Sequence, residues 1–306
     1  MSSPSKTASH SFALAAKLAP ATFVCLWATG FIGAKLGLPY VEPLTFLALR
    51  FALVVAIMAP AAVLLGAVWP KLSTTGHVAV VGLLIHGGYL GGVFVAISLG
   101  MSAGLSALIV SLQPLLTAAL VGPLLGERVT RRQIAGLVLG LAGVALVLSG
   151  KLAPSDSGTL FSGFGLDAVV CALVALFSIT VGVVYQKRFC AEVDLRAGAV
   201  VQYAAAGLAI GALALIFETN RVVWHLDLVI ALGWLVLVLS VGAVSLLMML
   251  IRLGEASRVA SLFYLVPPVT ALVAFFLFDE RLGPLALAGM VVAVLGVALV
   301  VTERKS

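Results

Sequence analysis

Ten runs of mostly apolar residues follow one another along this chain, near 18–37, 43–66, 76–98, 102–124, 131–149, 163–186, 197–217, 228–250, 256–278 and 282–301. A helix of about 20 apolar residues spans the hydrocarbon core of a bilayer. In that core every backbone polar group needs a partner within the chain, which leaves helices or a closed barrel. Barrel strands alternate apolar and polar residues, whereas these runs are continuous. The sequence therefore predicts an all-α integral membrane protein with ten transmembrane helices. Composition agrees: 62% of residues are hydrophobic and 10% charged, against about 25% charged in a soluble domain.

The breaks carry turn chemistry, as in "GLPYVEP", "VWPKLSTT", "LGERVTRR" and "FETNRVVWHLD". The widest, around 150–162, reads as a periplasmic linker between two halves, 18–149 and 163–301. Short cytosolic tails are expected at 1–17 and 302–306. The apolar run after Lys17 is too long and too poorly terminated for a cleaved signal peptide. With the N-terminus in the cytosol, 13 of the 18 Lys and Arg residues fall on the cytosolic side. The positive-inside bias then places both termini in the cytosol. It also accounts for the net charge of +6, so the lipid bilayer is the expected surroundings and nucleic acid is not an expected partner. The 3 cysteines, Cys25, Cys171 and Cys190, form no C-x-x-C pair. Neither a disulfide framework nor a zinc site is indicated, and no metal or cofactor is expected.

The chain repeats itself. "GVALV" stands at 143–147 and again at 296–300, 153 residues on. At the same offset Pro114 meets Pro267, Glu127-Arg128 meets Glu280-Arg281, and Gly136 meets Gly289. Five helices per half is an odd number, so the halves must insert in opposite senses. Inverted repeats are an architecture of secondary transporters, whose substrate sites lie near the bilayer midplane between the halves.

The repeated text is "PLLTAALVGPLLGERVTRRQIAGLVLGLAGVAL" in the first half and "PPVTALVAFFLFDERLGPLALAGMVVAVLGVAL" in the second. With "PLTFLALRF" opening the second helix, it resembles the EamA family of the drug/metabolite transporter superfamily over nearly the whole chain. Asp279 departs from the first half, which has Gly126. The third helix and "MSAGLSALIVSLQPLLTA" look most like the YddG-type amino-acid exporters within that family. The resemblance implies export of small metabolites, amino acids first, by alternating access through a central cavity. Other neutral metabolites or drugs are the runner-up cargo. An integral-membrane enzyme is the main alternative outside transport; it would need a catalytic cluster, and the four histidines, His10, His77, His86 and His225, are scattered.

Polar residues at membrane depth usually face the bundle interior or a water-filled cavity. In "LIHGGYLGGVF" His86 and Tyr89 are three apart and share a helix face, so both are candidates to line the cavity or to serve helix packing. Gly87/Gly91 and Gly88/Gly92 are two overlapping small-xxx-small pairs, which allow close helix approach or flexing. Gln113-Pro114 and Pro267-Pro268 mark helix breaks at corresponding places of the two halves, a pointer to the binding region, or kinks serving packing. Gln113 can serve either end of a zwitterion. Trp27, Ser111 and Tyr264 complete the expected site, with Trp27, Tyr89 and Tyr264 as an aromatic wall. Further polar positions at depth include Gln202 and Tyr203 on helix 7 and Ser240 on helix 8. Arg50, two turns into helix 2, either snorkels, pairs with a helix-end carbonyl, or takes a substrate carboxylate. The cavity is expected mainly among helices 1, 3, 4, 6, 8 and 9. Helices 5 and 10 carry almost nothing polar and read as packing faces or as the face of a homodimer. No carboxylate lies in mid-helix, so transport is expected to be facilitated or coupled through His86.

Overall fold

A computed structural model of the chain describes residues 6–117, 130–150, 161, 163–243, 246, 263–280 and 283–301. The described residues form ten helices: α1 (Lys6–Gly37), α2 (Pro43–Leu64), α3 (Leu72–Ser98), α4 (Ala103–Thr117), α5 (Arg131–Ser149), α6 (Leu166–Phe189), α7 (Leu195–Phe217), α8 (Leu226–Ala243), α9 (Val266–Phe278) and α10 (Pro284–Val301). Among these residues there is no strand beyond two isolated bridges, Val41 with Val222 and Phe161 with Phe164. Continuous apolar sequence gives α2, α3, α6, α7 and α8 lengths of 18 to 27 residues, enough to cross a membrane.

Local signals set the ends. Ser102 caps α4, its Oγ accepting from the Leu105 N–H at 3.3 Å, and Asp194 caps α7 through the Arg196 N–H at 2.9 Å. Prolines open α2 and α9, where a missing N–H costs nothing. The turn after α3 needs Gly100, whose φ is +95° and whose missing side chain leaves room for the Gly163 carbonyl.

The expected tail 1–17 is helical over its described part, since α1 begins at Lys6. Its run of Ala, Lys and Leu favours helix strongly enough to extend the span without apolar periodicity. Most of the 150–162 linker, the "LGER" turn of the first half and the 302–306 tail lie outside the described residues.

The halves are related by a two-fold axis that can be read at α5 and α10. A side chain at Gly143 would stand 2.5 Å from the Gly289 carbonyl and from the Ala293 N. A side chain at Gly296 would stand 2.7 Å from the Gly136 carbonyl and from the Gly140 N. Gly296 is the repeat counterpart of Gly143, and Gly136 and Gly140 are those of Gly289 and Ala293. Each contact is thus matched by its mirror in the other half, as at an isologous interface. The later part of α5 meets the earlier part of α10, so the helices are antiparallel. An axis relating antiparallel membrane-crossing helices is perpendicular to them and lies in the membrane plane. This is the inverted five-helix repeat. α2 and α7, another counterpart pair, likewise pack against each other.

Candidate functional site

The site grows from two widened helix turns. α3 is π-helical over Leu83–Leu90, and α8 over Trp234–Ala243. Under the 153-residue offset these are the same place in the two halves. A π turn is rare, and it is frequent at functional sites. In α3 it contains His86, Gly87, Gly88 and Tyr89. In α8 it contains Ser240, whose hydroxyl donates to the carbonyl of Leu235 at 2.9 Å.

The glycines of α3 divide by function. A side chain at Gly88 would meet Ser178 of α6, its Cβ 2.8 Å away. One at Gly92 would meet the Cys171 carbonyl at 2.5 Å. These two let α3 lie against α6. Gly91 meets only Ile210, at 3.6 Å. Gly87 is buried, yet no described atom beyond its own chain neighbours and helix backbone lies within 4 Å of where its Cβ would stand. Its absent side chain leaves space next to His86.

His86 stacks on Tyr203 of α7, with centroids 4.0 Å apart and planes 20° apart, and sets its edge toward Phe51 of α2 at 6.1 Å. Gln202 is its polar neighbour. Its Nδ1 is buried without a partner among the described residues. Tyr89 is buried at 7% exposure.

Arg50 of α2 completes the cluster. Its side chain is 3% exposed, and its Nη2 donates to Ser240 Oγ at 3.1 Å. It is buried and does not snorkel, and among the described residues it reaches no helix-end carbonyl. Tyr89, Tyr203 and His86 all lie near enough to feel its charge. The polar cluster therefore sits among α2, α3, α7 and α8, two of which were not expected to contribute. Gln202 and Tyr203 were visible as adjacent polar residues at depth; nothing in the sequence said that they face His86.

The other expected site residues make their contacts elsewhere. Trp27 packs edge-on against Phe263 at 5.2 Å and against Phe23 at 5.3 Å, an aromatic wall between α1 and the start of α9. The Ser111 hydroxyl donates to the carbonyl of Leu108 at 2.6 Å. Gln113 Nε2 donates to Thr117 Oγ1 at 2.9 Å. Pro114 follows a break at Ser111–Leu112, and Pro267 and Pro268 follow a 3₁₀ turn over Phe263–Leu265. The breaks correspond under the repeat. Tyr264 lies in that 3₁₀ turn, but its side chain is outside the described residues.

Both ends of the bundle are tied. At one, the Glu218 carboxylate accepts from the N–H groups of Leu44 and Thr45 at 2.8 and 2.7 Å, capping α2 from α7. Glu42 answers by accepting from the Thr219 N–H at 2.8 Å. Lys35, in the last turn of α1 at this end, pairs with Glu280. The Tyr40 hydroxyl donates to Asp227 at 2.9 Å, and that carboxylate pushes the phenol above its usual range. At the other end, Arg196 holds Asp194 well below the usual carboxylate range, and Asp194 also accepts from the Val68 N–H at 3.2 Å. His77 Nδ1 and the Tyr185 hydroxyl are 2.7 Å apart there, joining α3 to α6.

Residues 15–149 and 166–302 each match the EamA-like transporter family. The chain belongs to that family. It is a multi-pass membrane protein of the drug/metabolite transporter type, built from two EamA repeats. A relative described as the uncharacterized transporter YvbV of Bacillus subtilis (strain 168) is 29% identical over 202 residues. That match covers 60% of this chain and spans 57% of the relative's length. A solved protein crystal structure, 23% identical, aligns over 92% of this EamA chain and 94% of its own, with a TM-score of 0.61. That likeness shows the fold.

Proposed function

We propose that this EamA protein is a secondary transporter that exports small zwitterionic metabolites, amino acids first, across a bacterial inner membrane by alternating access. Both termini are then cytosolic, and the end tied by Glu218 and Lys35 faces the periplasm. The observation that carries the reading is the cluster of buried Arg50, Tyr89, Gln202, Tyr203 and Ser240 with the half-buried His86. It is assembled from both halves: α2 and α3 from the first, α7 and α8 from the second. A ligand held there touches both halves, so its binding free energy depends on how they sit. That is what coupling of binding to alternation requires. Breaks at Pro114 and Pro267, and the glycines of α3, supply the places where helices bend between states.

The test is counterflow in proteoliposomes loaded with unlabelled amino acids and exposed to radiolabelled ones, with an imposed pH gradient in a parallel arm. Accelerated exchange of one chemical class supports the reading. Exchange no faster than in protein-free vesicles for the whole amino-acid panel sinks it. Concentrative uptake driven by the pH gradient and persisting in His86→Ala would remove both the facilitated form and the His86-coupled form.

A further inference from the structure

We infer that Arg50 is the anchor for a carboxylate on the transported molecule, and that this carboxylate, not the ammonium group, is the feature the carrier requires. The inference rests on the transporter reading above and narrows its substrate class.

Arg50 carries a full charge that does not titrate in proteins, and it is 3% exposed within a membrane span. Burying such a charge without a counter-charge is expensive. The charge has a single hydrogen-bond partner among the described residues, the neutral hydroxyl of Ser240, and its Nε has none. Described carboxylates are engaged at the ends of the bundle: Glu218 on the N–H groups that open α2, Glu42 on the Thr219 and Asn220 N–H groups past the end of α7, Asp227 on Tyr40, Glu280 on Lys35 and Asp194 on Arg196. The guanidinium therefore holds donors that nothing described in the chain takes up. A planar fork of N–H donors fits a carboxylate in bidentate fashion.

Two neighbouring features argue for a ligand rather than a structural ion pair. His86 Nδ1 is a second buried polar atom without a described partner. Gly87, next to it, borders space in which no described atom beyond its own chain neighbours and helix backbone lies within 4 Å of its missing Cβ. A ligand carboxylate on Arg50 thus has a second polar contact and room nearby. An ammonium group finds no carboxylate in this cluster, only the ring faces of Tyr203 and Phe51 and neutral side chains. Cation–π contact is weaker than charge pairing in a desolvated site.

The experiment uses purified full-length protein in detergent and follows its thermal stabilisation by three probes with one side chain: L-leucine, L-leucinamide and 4-methylvalerate. The first has both charges, the second only the ammonium, the third only the carboxylate. The same series is run with L-phenylalanine, L-phenylalaninamide and 3-phenylpropionate. Expected are binding of the two carboxylates in each series, at least about tenfold weaker binding of the amide, and loss of carboxylate binding in Arg50→Gln with a weaker remnant in Arg50→Lys. Ser240→Ala, which keeps the charge and frees the guanidinium, should weaken carboxylate binding without removing it; it also serves if Arg50→Gln does not fold. Equal binding of amide and acid, or unchanged acid binding in a folded Arg50→Gln, overturns the anchor and leaves the amino-acid reading standing. Binding of the simple carboxylates without the amino acids supports the anchor and sinks the amino-acid reading. Failure of all six probes counts against both.

Discussion

Lys35, two residues before the end of α1, is paired with Glu280, two residues past the end of α9, across 245 residues of chain. The Glu280 Oε1 also faces the Ala103 N–H of α4 at 3.4 Å, and Lys35 sits over the Phe278 ring at 5.0 Å. One carboxylate thus gathers α1, α4 and α9 at a single end of the bundle, and α1 and α9 belong to opposite halves. Opening that end must separate them. With side-chain exposures of 31% and 12%, the pair contributes about 1 kcal/mol, roughly a fivefold bias toward closure. Lys35→Met or Glu280→Gln should raise the labelling rate of a cysteine placed at Ala103 by about that factor. The exchanged pair, Lys35→Glu with Glu280→Lys, should restore the slow rate; if it labels like the single variants, the ion pair is not what holds this end shut.

His86 contributes a stacked face to Tyr203 and a polar edge to the cluster. His86→Ala and Tyr89→Phe should each weaken substrate half-saturation by about 5- to 150-fold, the range for losing one buried hydrogen bond of 1–3 kcal/mol. Gln113→Ala should have a smaller effect, because Gln113 already spends a donor on Thr117. Wild-type half-saturation for all three in matched vesicles would remove His86, Tyr89 and Gln113 from the site.

The glycines of α3 give a sharper contrast. Gly88→Ala and Gly92→Ala force new atoms against α6, so each should cost about 1–3 kcal/mol of stability. Gly87→Ala meets open space and replaces glycine within a helix, which should raise stability by about 0.5–1 kcal/mol while reducing flux, because the methyl enters the space beside His86. Melting temperature and flux measured together separate the two classes. A Gly87→Ala protein with full flux would show that this space is not used by substrate.

At the opposite end Asp194 is held ionised by Arg196 and the Val68 N–H. A carboxyl whose folded value is depressed contributes stability above its unfolded pKa of about 3.9, and loses it as pH falls toward the folded value. Asp194→Asn should therefore lower the melting temperature by a constant amount between pH 7 and pH 5. The gap should shrink below about pH 4. A gap unchanged down to pH 3 would mean that charge is not what Asp194 supplies.

The number of helices and the repeat were legible because apolar length and offset text survive in one dimension. Pro114 and Pro267 announced the paired breaks for the same reason: a missing N–H is a property of the residue itself. The π turns were not legible. Bonding five residues back has no sequence signature, and the double glycines at 87–88 and 91–92 hinted only at looseness. Arg50 was the hardest case. Whether an arginine two turns into a helix snorkels or turns inward depends on what faces it, and Ser240 lies 190 residues away. Tyr203 was hidden likewise, since stacking on His86 depends on how α3 lies along α7.

The crossing of α5 and α10 brings backbone onto backbone at Gly143 with Gly289 and at Gly136 with Gly296. Only short or close-lying side-chain atoms, of Leu139, Val147 and Ala293, border these backbone contacts, so the two helices lie nearly as close as helices can. Sliding one helix along the other would drive Ala293, Val147 and Leu139 into the facing backbone, whereas a small swivel about the crossing keeps the contacts. In the proposed transport cycle the other helices would turn around this crossing. Spin labels at Leu139 and Val294 should keep one distance through the whole cycle, while labels at Leu36 and Phe278 should not.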